Sequence, residues 1–336
     1  MSLPGFGACH SVTPVLDPEA QRRHKWRNTV HSLLLLLGLF VVIAVAVYFL
    51  WGATGVAVTA TALAATFVLS PRVPPEAVMR MYRAELLSPD LGGQLSRLAG
   101  VLAERAELPT RPLLYVVPSS TLNAFATGTP ERSAVAVTEG LLRRLTLRET
   151  AGVLAHEMSH IRNNDVQVLG LADLLTRFAQ SLAYVAVALA AINVFALLNG
   201  DRTMAWWPIL LLYLAPALSS LMQLGLSRAR EFDADLEAAM LTGDAMGLAS
   251  ALRRLEHYTG QVWEDLMLPV PGRRVPQPSM LRSHPATEDR VARLLALASQ
   301  PQHEPIAPAE EPMVSSLAGW GPAAMRPRYR WPGVWY

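Results

Sequence analysis

Charge is what this chain has little of. Asp, Glu, Lys and Arg make up 17% of its 336 residues, where a soluble domain carries about 25%. A hydrophobic content of 51% fills the gap, which excludes an ordinary water-soluble globule and points to a membrane protein. Cysteine is nearly absent: Cys9 stands alone, so no intramolecular disulfide can form, which suits a catalytic region on the cytoplasmic side. An inert thiol is the plain reading of Cys9, with a metal or inhibitory role beside His10 as the sharper one. Neither sign of charge dominates, the net being +2. The excess comes from basic residues flanking apolar runs, and nothing supports a nucleic-acid partner.

Four long apolar runs are what the chain has instead, at about 32–51, 53–70, 178–199 and 204–224, each close to the 17 to 25 residues that cross a bilayer. Short turns at Trp51 to Thr54 and at Asn199-Gly200-Asp201-Arg202 pair them into two hairpins. About 30 residues precede the first run, which is too long for the apolar part of a cleaved signal, so a retained span is expected. Arg22, Arg23, Lys25 and Arg27 precede the first run, Arg72, Arg80 and Arg83 follow the second, and Arg228 and Arg230 follow the fourth. By the positive-inside rule both termini and the region between the hairpins face the cytoplasm. The expected location is multi-pass in a bacterial inner membrane.

The predicted organisation has six parts: a cytoplasmic segment 1–31, a first hairpin 32–70, a first half of a soluble domain 71–177, a second hairpin 178–224, a second half 225–300, and a Pro- and Trp-rich tail 301–336 expected to be disordered. The arginines and tryptophans of that tail would also suit contact at headgroup depth. Between the hairpins, a mixed helical stretch is predicted over about 75–106 and strands at 113–117 and 133–138. Helices are predicted over 227–241, 245–258 and 286–298, with a proline-rich loop at 268–279. Asp173 and Arg177, four apart, are expected to bond one another at the cytoplasmic rim.

His156-Glu157-Met158-Ser159-His160 carries the chemistry. Helical positions four apart lie about 40° apart round the axis, so both imidazoles can reach one cation. Two neutral nitrogens fix Zn²⁺, the metal acidifies a water, and Glu157 beside the first ligand takes the proton. Thr146 and Glu149 read as a capping box opening the helix that carries these residues. Zinc then needs a third protein ligand. Glu231 and Asp235, also four apart, offer one: the first can bind the metal while the second fixes the far nitrogen of a histidine, although spacing alone would equally suit two surface carboxylates.

Together with Asn123-Ala124-Phe125-Ala126-Thr127-Gly128 and Ser283-His284-Pro285-Ala286-Thr287, these motifs resemble the signature set of HtpX-type integral-membrane zinc metalloproteases, relatives of the CAAX prenyl proteases. The resemblance spans about residues 30 to 298. It implies a mainly α membrane protein with two transmembrane hairpins, four spans, and a cytoplasmic α+β gluzincin-like zinc protease domain. It further implies one Zn²⁺ per chain on His156, His160 and Glu231, Glu157 as general base and acid, and degradation of damaged or misfolded membrane proteins in a stress response. His284 and Arg290 are expected to face the cleft as cations for the oxyanion. Asn123, Ala124, Phe125 and Ala126 are expected to pair with substrate backbone along a sheet edge. Two rivals stand beside this reading. A CAAX-type processing protease would need more spans to enclose an intramembrane chamber, and a metal-stabilised scaffold would have no use for Glu157.

Overall fold

The structure, a computed structural model, describes residues 18–69, 73–87, 93–266, 287–298, 329–330 and 334–335. Cys9, His10, the 268–279 loop and His284 lie outside the described residues.

Three helices are long and apolar enough to cross a membrane: 32–69 within α1 (Pro18–Leu69), α6 (Asp165–Leu198) and α7 (Trp206–Thr242). The first contains one non-helical residue, Gly52, at φ 65° and ψ −163°. A turn is expected there, and the structure confines it to a glycine, which enters this conformation without the strain a Cβ would bring. The Val47 side chain comes within 3.4 Å of where a Cβ on Gly55 would lie, whereas residues eight apart in a straight helix are separated by about 12 Å. The chain therefore folds back on itself at Gly52.

Inward-facing Leu39, Ile43, Val47, Leu175, Leu182, Ile209 and Leu212 form the core of the apolar bundle. Its outer surface exposes Leu34, Leu37, Tyr184, Phe195, Leu198, Leu210 and Leu221. Apolar area of this extent on an outer face is the mark of a surface made for lipid. The expected separate helix at 227–241 is the continuation of α7, and the expected span at 178–199 begins thirteen residues earlier, at Asp165. Both helices run unbroken through 177/178 and 224/225, the second boundary falling at Gly225, which α7 carries in its interior.

The remaining elements build a part of mixed helices and strands. After α2 (Pro75–Met81) come β1 (Glu85–Leu86), α3 (Gly93–Arg105), β2 (Leu113–Val117), β3 (Ala124–Thr129) and β4 (Arg132–Thr138). Then follow α4 (Glu139–Arg144), α5 (Leu147–Arg162), α8 (Ala245–Leu266) and α9 (Thr287–Ala298). The sheet has the order β1-β2-β4-β3, with β2 and β4 parallel and the other pairs antiparallel. Helices cover both faces. Leu114, Val116, Val135 and Val137 join the core under α5, while Tyr115, Val117, Ala134 and Ala136 pack with Met79 of α2. The strands are accordingly apolar on both sides.

Helix α5 is the centre of this domain. Thr146 and Glu149 form the expected capping box, with Thr146 N–H donating to Glu149 at 2.8 Å and Glu149 N–H donating back to Thr146 at 3.2 Å. The helix packs against β3, α7 and α8. At Gly152 the α8 backbone comes so near that a Cβ would lie 2.9 Å from the Leu248 Cα, so only glycine permits this approach. Of the tail, the described residues are Tyr329–Arg330 and Val334–Trp335, which pair antiparallel.

Candidate metal centre

Helix α5 presents His156 and His160 on one face, and α7 presents Glu231 and Asp235 on the face opposite. His156 Nε2 and His160 Nε2 are 3.2 Å apart. Glu231 reaches 3.3 Å from the first through Oε2 and 3.7 Å from the second through Oε1. His156 and Glu231 are buried, at 1% and 5% exposure. Among the described residues these three form the group whose ligand atoms gather within 4.8 Å of one another.

What lies behind the imidazoles decides what lies between them. His156 Nδ1 is 3.1 Å from Asp235 Oδ1, and His160 Nδ1 is 2.7 Å from Asp165 Oδ2. A carboxylate at Nδ1 holds the proton there and leaves the Nε2 lone pair facing the opposite way. When both imidazoles are neutral, two lone pairs and a carboxylate oxygen thus converge. Such a set suits a cation, and tetrahedral Zn²⁺ with bonds of about 2.0 to 2.1 Å would separate its ligands by about 3.4 Å. The residues fit that ion. Without a cation the site gathers a proton instead. Burial opposes charge on His156, but Asp235 and Glu231 outweigh it and raise its pKa to about 10.

Asp235 and Arg290 form a buried fork. Arg290 donates from Nε to Asp235 Oδ2 and from Nη2 to Oδ1, both at 2.6 Å, and its Nη1 lies 3.4 Å from Glu231 Oε2. Burial works against the charge on Arg290, but Asp235 holds it in the cationic form. Two of its nitrogens are thus committed to the carboxylate behind His156, a contact that spacing did not suggest. Glu157 is buried at 5% exposure, and its carboxylate lies within electrostatic reach of Arg290.

Asn123 to Ala126 lead into the edge strand β3, which packs against α5 on one side and leaves its other backbone edge without a strand among the described residues. Asn123 N–H donates to Thr138 Oγ1 at 3.0 Å, which fixes the start of that strand. Phe125 stacks at a tilt on Tyr82, centroids 4.7 Å apart, on the face away from α5. Asp173 and Arg177 pair with one another at 2.7 Å and are exposed, away from the histidines.

Asp165 and Arg230 are the residues that sequence reasoning passed over. Arg230 Nη1 lies 3.1 Å from Asp165 Oδ1, completing behind His160 what Arg290 and Asp235 complete behind His156. Arg230 was read only as a basic residue flanking the fourth apolar run. Asp165 follows His160 by five residues across a turn, so no helical period links the two; the Asn163-Asn164 pair marking that turn was the available signal.

The sequence profile of peptidase family M48 matches residues 89–298. A protease HtpX homologue of Acaryochloris marina is 40% identical over 234 residues, covering 67% of this chain and 78% of its own length. One from Burkholderia thailandensis is 37% identical over 240 residues, covering 66% and 80%. The crystal structure of S. mikatae Ste24p aligns with a TM-score of 0.47 at 19% identity, covering 81% of this chain and 66% of that one, just under two thirds.

Proposed function

The chain belongs to peptidase family M48, as an integral-membrane metalloprotease of the HtpX type, and we propose that it is a zinc endopeptidase cleaving misfolded or damaged membrane proteins at the cytoplasmic face of a bacterial inner membrane. The observation that carries the reading is the convergence of His156 Nε2, His160 Nε2 and Glu231, with a carboxylate bonded to His160 Nδ1 and another 3.1 Å from His156 Nδ1. One zinc per chain, held by these three residues, would supply Lewis acidity that polarises the scissile carbonyl and acidifies water.

The chain's own residues do the rest. Glu157, next to His156 and buried, accepts a proton from the attacking water and delivers it to the nitrogen of the departing strand, so no covalent intermediate is needed. Arg290, whose Nη1 lies 3.4 Å from Glu231 Oε2, is proposed as the cation that meets the charge growing on the carbonyl oxygen; His284 is proposed beside it. Substrate lies as an added strand along β3 from Asn123 to Ala126, and backbone pairing of that kind tolerates many sequences. Four spans follow if the reversal at Gly52 divides α1 into two arms. The basic residues at 22–27, 72–83 and 228–230 then set the domain and both termini in the cytoplasm, as two halves around the second hairpin. A site continuous with membrane helices meets membrane and misfolded proteins first, which supports that substrate class.

Zinc content of the detergent-purified chain, with cleavage of a membrane-protein substrate by wild type and Glu157→Gln, tests this. Wild type should carry one zinc and cleave; the variant should keep the metal and lose nearly all turnover, because the amide has the same shape but cannot take the proton. Wild-type turnover in the variant would end the role of Glu157.

A further inference from the structure

Two relays of one design back the metal centre. The first runs His156, Asp235, Arg290; the second runs His160, Asp165, Arg230. We propose that Asp165 is a positioning residue of this centre, and that with Arg230 it ties His160 to both arms of the second membrane hairpin. The inference rests on the metal-centre reading above and adds to it residues that the ligand set does not contain.

Asp165 is 2% exposed, and an ionised carboxylate at such depth is costly unless it is paired and hydrogen-bonded. Oδ2 accepts from His160 Nδ1 at 2.7 Å, and Oδ1, which makes no hydrogen bond, has the Arg230 Nη1 charge 3.1 Å away. The turn that brings it there is unusual. Asn164 adopts the left-handed conformation at φ 54° and ψ 34°, which asparagine tolerates better than other residues bearing a Cβ. An acidic residue in the first turn of a helix is ordinarily explained by the helix dipole, a weak effect at an exposed end. That account leaves the burial and the two partners of Asp165 unexplained; fixing the His160 tautomer explains both.

The elements involved give the contact its reach. Asp165 is the first residue of α6, and Arg230 sits on α7 beside Glu231. A shift of either arm along its axis would therefore move the carboxylate behind His160 or the ligand in front of it. The second relay differs from the first in this respect, since Arg290 comes from α9, outside the bundle.

Metal binding by the full chain in detergent tests the proposal. The purified protein is stripped with a chelator, titrated with Co²⁺ while its visible absorption is followed, and then competed with Zn²⁺. Wild type is measured first: if it takes up neither ion, the metal-centre reading fails and this inference with it. If it does bind, Asp165→Asn should lower affinity about 10- to 100-fold and change the Co²⁺ spectrum while helix content stays the same. Arg230→Gln should shift both in the same direction by less, and Asp201→Asn, at the far turn of the hairpin, should shift neither. Should Asp165→Asn fail to fold, Arg230→Gln decides alone. Wild-type affinity and spectrum in the folded variants would overturn the positioning role and leave the ligand assignment standing.

Discussion

Acid should strip metal from this protein in a graded way, and His156 sets the size of the effect. In the metal-free site burial disfavours its charge, yet Asp235 and Glu231 prevail and raise its pKa to about 10. His160 is raised too: burial again opposes, and Asp165 is the strongest opposing partner. A metal needs the lone pair, so each binding event must displace the proton. At pH 7 a group with a pKa near 10 is protonated about a thousand to one, so apparent affinity should lie about a thousandfold below its limit. It should then rise about tenfold per pH unit until pH approaches about 10. Stability of the metal-free chain runs the opposite way. The folded pKa of His156 exceeds its unfolded value of about 6.5, so its contribution is complete below that pH and is lost as pH climbs through about 10. Competition against a chelator of known affinity, from about pH 6 to about pH 9, reads the slope directly. Asp235→Asn should flatten it, because that carboxylate is the strongest partner raising the histidine. A metal affinity independent of pH over this range would refute the reasoning, since Nε2 would then be free of a proton before metal arrives.

Two further outcomes are expected. Glu231→Ala should lower zinc occupancy while Asp233→Ala should not, because the second position lies about 160° round the helix from the first; equal metal in the Glu231 variant and wild type would exclude it as a ligand. In a Cys9→Ser background, single cysteines at Thr54 and Asp201 should react with an impermeant reagent from outside intact cells and one at Arg132 should not; external labelling at Arg132 would invert the topology.

Strands 113–117 and 133–138 were legible because their apolar runs are buried on both faces. β3 was harder: Asn123, two small alanines and Gly128 look like a turn, and it is pairing with β4 that makes them a strand. The two-residue β1 exists only through its bonds to β2. The three ligands and Asp235 were legible because i, i+4 spacing survives in any helix, whereas His156 and Glu231 meet across seventy-five residues of chain that include the whole hairpin. Asp165 was illegible for the converse reason: its contact with His160 depends on the left-handed Asn164, and hydrophobic periodicity carries no information about a turn. Hydropathy marks where an apolar run ends and not where a helix ends, which is why α6 and α7 run past the boundaries read from it.

Given the second relay, residues 178 and 224 do not stand at one depth along the hairpin. With a rise of 1.5 Å per residue, Arg230 stands about 9 Å beyond residue 224, while Asp165 stands about 20 Å before residue 178. Yet the two side chains touch at 3.1 Å. If residue 224 marks the edge on α7, the same depth on α6 lies near residue 171, and Asp173 and Arg177 then fall at the lipid rim. Their mutual bond at 2.7 Å and their exposure suit that position, because pairing offsets the cost of about 2.5 to 3.5 kcal/mol that a lone charge meets deeper in the bilayer. Asp173→Asn would leave Arg177 alone there and should reduce the yield of membrane-inserted protein, while the double change Asp173→Asn with Arg177→Gln should recover it. Equal yields from wild type, the single and the double variant would place the pair in water and return the edge of the bilayer to residue 178.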